Sequence, residues 1–149
     1  MRTLERKKEV KEEVKIKDSE VKGRIKKEVK DVVEKEFGEL NTDKVILRDE
    51  RIEHIKERHP EIVEIIKKYS KDIIENPDYI LKDNKNIDTI WHIKEIDKNK
   101  INAVIKLSIK EKQEHKGYLN SIITGYPITE KRLEKHLSKL KILYKIEGK

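Results

Sequence analysis

Ile101-Asn102-Ala103-Val104-Ile105-Lys106-Leu107-Ser108-Ile109 is the most regular stretch of the chain. Ile101, Ala103, Ile105, Leu107 and Ile109 fall on one side of an extended backbone, and Asn102, Val104, Lys106 and Ser108 on the other. An antiparallel strand with one face on a core alternates in this way. Just upstream, Asp97-Lys98-Asn99-Lys100 reads as a tight turn, preceded by a β-branched and aromatic run over 89–96 that His92 and Lys94 interrupt. Tyr79-Ile80-Leu81 is a further short strand. Downstream, a polar loop over 110–117 leads to a strand over 118–126, which Pro127 ends. These pieces make an antiparallel meander.

Outward from the meander the period lengthens. Val45-Ile46-Leu47 is a short apolar run suited to one strand. Asp49 can cap a helix that carries Ile52 and Ile55, because its carboxylate accepts from unpaired backbone N–H groups. Pro60 disfavours helical geometry at His59 and fits the first turn of a second helix. That helix presents Ile62, Val63, Ile65, Ile66, Tyr69, Ile73 and Ile74, and Asn76-Pro77-Asp78 stops it. After the meander, Thr129 can cap a last helix bearing Leu133, Leu137 and Leu140, followed by a charged tail. The expected class is α+β, with N-terminal helices packed on a roughly four-stranded antiparallel sheet and a terminal helix.

The chain has 149 residues, 45% of them charged and 34% apolar, with a formal net charge of +7. Ordinary soluble domains have about 25% charged residues. No run approaches the ~18 apolar residues of a membrane span. The absence of Cys excludes thiolate chemistry and disulfides. The start MRTLERKKEV lacks the apolar core of a secretion signal, so a cytoplasmic protein is expected. Ile is abundant and Ala103 is the sole Ala, so the high Lys content reads partly as coding bias. The positive charge permits an anionic partner without requiring one.

The composition changes near residue 38. Val10, Val14, Val21, Ile25, Val29 and Val32 recur at helical spacing in an otherwise charged segment, with Gly23 as the only break. A narrow stripe of this kind is marginal alone. Residues 1–38 are therefore expected to be a helical arm, either solvated or used for association, and residues 39–149 the main domain.

Two places carry side chains suited to chemistry. In Arg51-Ile52-Glu53-His54-Ile55-Lys56-Glu57-Arg58-His59-Pro60, His54 and Arg58 share a helix face, and His59 sits at the proline kink. Imidazole moves protons near neutral pH, and guanidinium grips phosphate with paired N–H groups. Together they are parts for phosphodiester cleavage without a metal; the alternative is a solvated helix face. The second place is Asn120-Ser121-Ile122-Ile123-Thr124-Gly125-Tyr126. Regular alternation puts Asn120, Ile122, Thr124 and Tyr126 on one face, and Ser121 on the other. Ser121 and Thr124 can line one cleft only if the strand bulges between them. His92, beside Trp91 in a strand, could stack a base, but a core aromatic with a polar neighbour is the favoured reading; His115 and His136 read as solvated. His-Glu-x-x-His and Gly-rich phosphate loops are both absent, and neither metal nor cofactor is expected.

The motifs His54-Ile55-x-x-Arg58-His59-Pro60, Asn76-Pro77-Asp78 and Ser121-Ile122-Ile123-Thr124-Gly125-Tyr126-Pro127-Ile128 resemble, in order and spacing, the phage-associated branch of the Barnase–EndoU–Colicin–RelE-like (BECR) nucleases. The resemblance spans roughly residues 44–136. It implies two helices followed by a four-stranded antiparallel sheet, and metal-independent RNA cleavage, often by a toxin of phage or mobile elements. It carries His54, Arg58 and His59 over from the helix motif, and Ser121 and Thr124 from the last-strand motif. The expectation is an endoribonuclease in which His54 and His59 share the acid and base roles and Arg58 steadies the phosphate. Thr124 joins this catalytic set, with Ser121, Asn120 and Tyr126 binding substrate. RNA is the expected substrate, and an antitoxin or immunity protein a possible partner. A non-catalytic nucleic-acid-binding module and an interaction protein working through residues 1–37 are the alternatives.

Overall fold

The computed structural model describes residues 20–112 and 119–148. Most of the expected arm, and His115, lie outside them. Among the described residues the chain forms β1 (Val21–Arg24), α1 (Lys27–Phe37), β2 (Lys44–Ile46) and α2 (Asp49–Arg58). A 3-10 turn (Pro60–Ile62) leads into α3 (Val63–Glu75). Then come β3 (Tyr79–Lys82), β4 (Thr89–Ile96), β5 (Asn99–Lys106), β6 (Asn120–Pro127), α4 (Glu130–Lys139) and β7 (Ile142–Lys145). The class is α+β.

The expected meander is β3 to β6, and the four strands lie side by side. The β4–β5 turn places Asp97 and Lys98 at positive φ, the two-residue geometry that matches strand twist. The sheet is larger than expected, with seven strands in the order β1-β2-β6-β5-β4-β3-β7. Val45-Ile46 joins β6 in parallel, β1 adds outside β2, and β7 pairs with β3 from the segment read as a charged tail. Edge strands of three or four residues carry too few alternations to stand out from a charged background.

The segment over 21–37 departs from a continuous helix. Val21–Arg24 is a strand, and Gly23 lies where a Cβ would come within 3.2–3.3 Å of Glu75 and Ile74. Gly23 thus lets β1 sit close to the end of α3. Ile25, Val29 and Val33 enter the main core, whereas Val32 is 38% exposed. Glu36, on α1, accepts from Lys82 and Lys141 and so ties α1 to the β3–β7 side of the sheet. These two lysines hold its carboxyl below the usual range.

Helix ends follow local chemistry. Asp49 is the first helical residue of α2 rather than its cap, which is Arg48; its charge still suits the helix N-terminus. Thr129 caps α4 as expected, accepting from the Arg132 N–H at 3.2 Å.

Two clusters hold the layers together. The larger sets α1 and α3 against Ile80, Ile90, Ile101, Ala103, Ile105 and Ile122 on one sheet face. The smaller sets Leu133 and Leu137 of α4, and Leu140 just past its end, against Tyr79, Leu81, Ile93 and the half-buried Trp91 on the other. Helix α2 packs along β6, on the side where β2 pairs only Asn120 and Ser121. No described helix is long and apolar enough to cross a membrane.

Candidate active site

The decisive local feature is in β6. Thr124 pairs with Val104 and Ile122 with Ile105, so Ile123 is an extra residue. This bulge reverses the alternation beyond it. Ser121, Thr124 and Tyr126 lie opposite Lys106, Val104 and Asn102 and share their face. Asn120, Ile122 and Gly125 share the core face. The expected grouping of Asn120 with Thr124 and Tyr126 is thereby corrected, and Ser121 joins Thr124.

Asn120 is fully buried. Its Nδ2 donates to the carbonyls of Thr42 and Lys44, both at 2.9 Å, and its Oδ1 accepts from the Ser108 N–H at 2.9 Å. The residue stitches β2, β5 and β6 together and has no capacity left for a substrate. On the same face, a Cβ on Gly125 would lie 2.5 Å from Ile66 Cδ1, so glycine here is what lets α3 seat on the sheet.

Along the open edge of β6, α2 supplies a wall, with Ile52 and Ile55 turned into the large core cluster. The Arg51 guanidinium donates to the carbonyl of the bulged Ile123 at 3.4 Å. Ile55 is fully buried and anchors the helix, leaving His54 half-buried and Arg58 exposed. His59, turned by Pro60, leaves the helix at φ −140° and ψ 65°, with its N–H on the Ile55 carbonyl at 2.6 Å. Its ring lies 5.9 Å from that of Tyr126, and its Nδ1 lies 3.8 Å from a Glu61 carboxylate oxygen. The structure thus joins His59 to Tyr126 directly. It sets His54 and Arg58 on the helix that borders β6.

Tyr126 is held from below. Asn102 is fully buried, and its Nδ2 donates to the Tyr126 hydroxyl oxygen at 3.0 Å. The hydroxyl proton is therefore available to a partner in the cleft. Burial pushes the phenol up from its ordinary pKa, keeping it protonated. Asn102 Oδ1 has no hydrogen-bond partner among the described residues.

Sequence reasoning missed Arg51 and Asn102. Both look like ordinary members of their elements, and only the bulge gives them a role. His92 is buried on the core face as expected. Its Nδ1 lies 3.1 Å from the Ile73 carbonyl, so Nδ1 carries the proton and Nε2 is bare. His136 departs from a solvated residue, because its ring meets Trp91 edge-on at 4.9 Å.

Among the described residues, no three His, Asp or Glu side chains gather to hold a metal ion. A groove of about 600 Å³ at the β3–β4 turn has its carboxylates engaged. Glu36 holds Lys82 and Lys141, Asp88 holds Lys112, and Asp83 accepts from Asn86 and Trp91. The chemically richest ground is therefore the β6 face beside α2.

Neither the curated proteins nor the solved structures include a match to this chain. The sequence profile described as phage-Barnase-EndoU-ColicinE5/D-RelE like nuclease3 matches residues 19–135. Its range begins at β1, so it takes in the strand and helix that the sequence motifs left outside the resemblance. A match over most of the chain, ending within α4, settles the family: the protein belongs to the phage-Barnase-EndoU-ColicinE5/D-RelE like nuclease3 family.

Proposed function

We infer that the protein is a metal-independent endoribonuclease. One observation carries the reading: the Ile123 bulge gathers Ser121, Thr124 and Tyr126 on the face where His59 meets Tyr126. In this reaction one of His54 and His59 takes the proton of a ribose 2′-hydroxyl, whose oxygen attacks the adjacent phosphorus. The bond from phosphorus to the 5′-oxygen breaks, and the other imidazole protonates that oxygen. The products are a 2′,3′-cyclic phosphate and a free 5′-hydroxyl. Arg58 steadies the charge growing on the phosphate oxygens. Thr124, Ser121 and the Tyr126 hydroxyl orient the phosphate by donating hydrogen bonds. A phage-borne toxin acting on cytoplasmic RNA, with an antitoxin or immunity protein to restrain it, fits this activity.

Cleavage of RNA in excess EDTA tests the chemistry. Wild type should cut RNA and leave DNA, which lacks the 2′-hydroxyl, intact. His54→Ala and His59→Ala should each lower the rate by about 10²–10⁴. Loss of cleavage in chelator would refute metal independence, and full activity in both variants would refute the acid–base pair. Salt-sensitive RNA binding with no product would favour the binding-module reading.

A further inference from the structure

The cleft has a second wall. Trp91 lies on the same sheet face as Thr124, since Trp91 pairs with Val104 and Val104 with Thr124. At a strand spacing of about 4.8 Å, the two backbones are roughly 10 Å apart. The indole is fixed at two points: its Nε1–H donates to Asp83 at 3.1 Å, and His136 meets it edge-on. It nonetheless stays half-buried rather than closed over.

Helix α4 brings the charge. Arg132 lies one turn before His136 on the same helix face, and at the Tyr126 hydroxyl the Asp83 carboxylate is felt first and Arg132 after it. Burial, followed by Arg132, Lys135 and Lys139, holds the His136 imidazole below its ordinary pKa. At neutral pH this ring is a neutral aromatic edge beside a cationic helix surface. The face thus runs from His59 and Tyr126 at α2, across Thr124 and Val104, to Trp91 and Arg132 at α4.

We propose that Trp91, braced by His136 and flanked by Arg132, is a stacking subsite for an unpaired base of single-stranded RNA next to the cleaved phosphate. The proposal rests on the ribonuclease reading. A pre-oriented aromatic ring suits an unpaired base, and a guanidinium beside it suits the phosphate attached to that base. Trp91 also packs against the small cluster under α4, so its ring is held in place while part of it stays open to the cleft face. Base-paired RNA has its bases engaged, so duplexes should bind more weakly.

Trp91 is the only Trp in the chain, so its fluorescence reports this position alone. A short 2′-O-methyl oligonucleotide, which lacks the nucleophilic hydroxyl, should quench it saturably in the full-length protein. Anisotropy of the labelled oligonucleotide should show Trp91→Leu weakening binding about 5- to 150-fold, and Trp91→Phe restoring most of it. One abasic position in the oligonucleotide should cost wild type a similar factor and cost Trp91→Leu nothing more. Binding without quenching, or equal binding by Trp91→Leu, would overturn the subsite. So would unchanged KM and kcat for RNA cleavage in Trp91→Leu, while leaving the ribonuclease reading intact. Failure of wild type to bind or cut any RNA would overturn both.

Discussion

The two faces of β4, β5 and β6 arise from one alternation and do opposite things. The core face carries Ile90, His92, Ala103, Ile105, Ile122 and Gly125 under α3. It is packed so closely that a single added Cβ at Gly125 meets Ile66. The cleft face carries Trp91, Val104, Ser121, Thr124 and Tyr126, several of them half-buried, between α2 and α4. Polar groups on the core face are locked: Asn120 has three partners, and His92 donates to a carbonyl. On the cleft face the Tyr126 hydroxyl keeps its donor in reserve, while the buried Asn102 and the Trp91 indole spend theirs on Tyr126 and Asp83. Burial turns a polar side chain into structure, and partial exposure leaves it free for chemistry.

Substitutions can break this contrast. Asn120→Leu should have the largest effect on stability, about 3–5 kcal/mol in urea unfolding, because it strands one buried N–H and two carbonyls. A cost under about 1 kcal/mol would show that the β2–β6 seam does not depend on it.

His92 should come next. Burial pushes its pKa down to about 4, below the ordinary 6.5. Between those values the unfolded chain takes up a proton that the folded chain refuses. Stability is therefore fully present above pH 6.5 and is lost as pH falls toward 4, by about 3 kcal/mol in all. His92→Leu should flatten the His92 share of this dependence in denaturant titrations run across that window. A wild-type curve that is flat from pH 6.5 to 4 would contradict the buried neutral imidazole.

Gly125→Ala should cost about 1–2 kcal/mol. Ile66→Val removes Cδ1, the atom in the way, so the double variant should be less destabilised than the sum of the two. Simple additivity in thermal unfolding would mean the close approach is relieved elsewhere. The smallest change in stability, within about 0.5 kcal/mol, is expected for Thr124→Val on the cleft face. RNA cleavage by that variant should nonetheless fall by about 10- to 100-fold. A large loss of stability with cleavage intact would place Thr124 with the structural residues instead.

Much of this arrangement is legible in the sequence. The alternation around Ile101–Ile109, the Pro60 kink and the Asn76-Pro77 stop place the meander and two helices correctly, because each is local. The sheet's outer strands are not legible, since Val21–Arg24 and Ile142–Lys145 are short and become strands only by finding a distant edge. The site divides in the same way. Residue types point to the ends of α2 and β6, but which side chains face the cleft depends on the one-residue bulge at Ile123. A run such as Ser121-Ile122-Ile123-Thr124 gives no sign of where register slips, because the slip is set by pairing with β5 and α2. His136 was unreadable for a related reason: a charged helix face looks solvated until the partner ring, Trp91, is in place.

The pairing of α2 and β2 with β6 has a consequence for how the molecule is made. Arg51 and Ile123 are 72 residues apart, and Thr42 and Asn120 are 78 apart. Strands β3 to β6 close through neighbours in sequence, whereas the α2 wall returns to β6 only by closing a long loop. The sheet centre is therefore expected to form before the cleft. On a ribosome, His54 and His59 emerge well before β6, the strand that α2 borders. Any activity that needs both walls is withheld until the domain is finished. Truncated products ending before β6 should be inert, and refolding followed at Trp91 should run ahead of the recovery of cleavage.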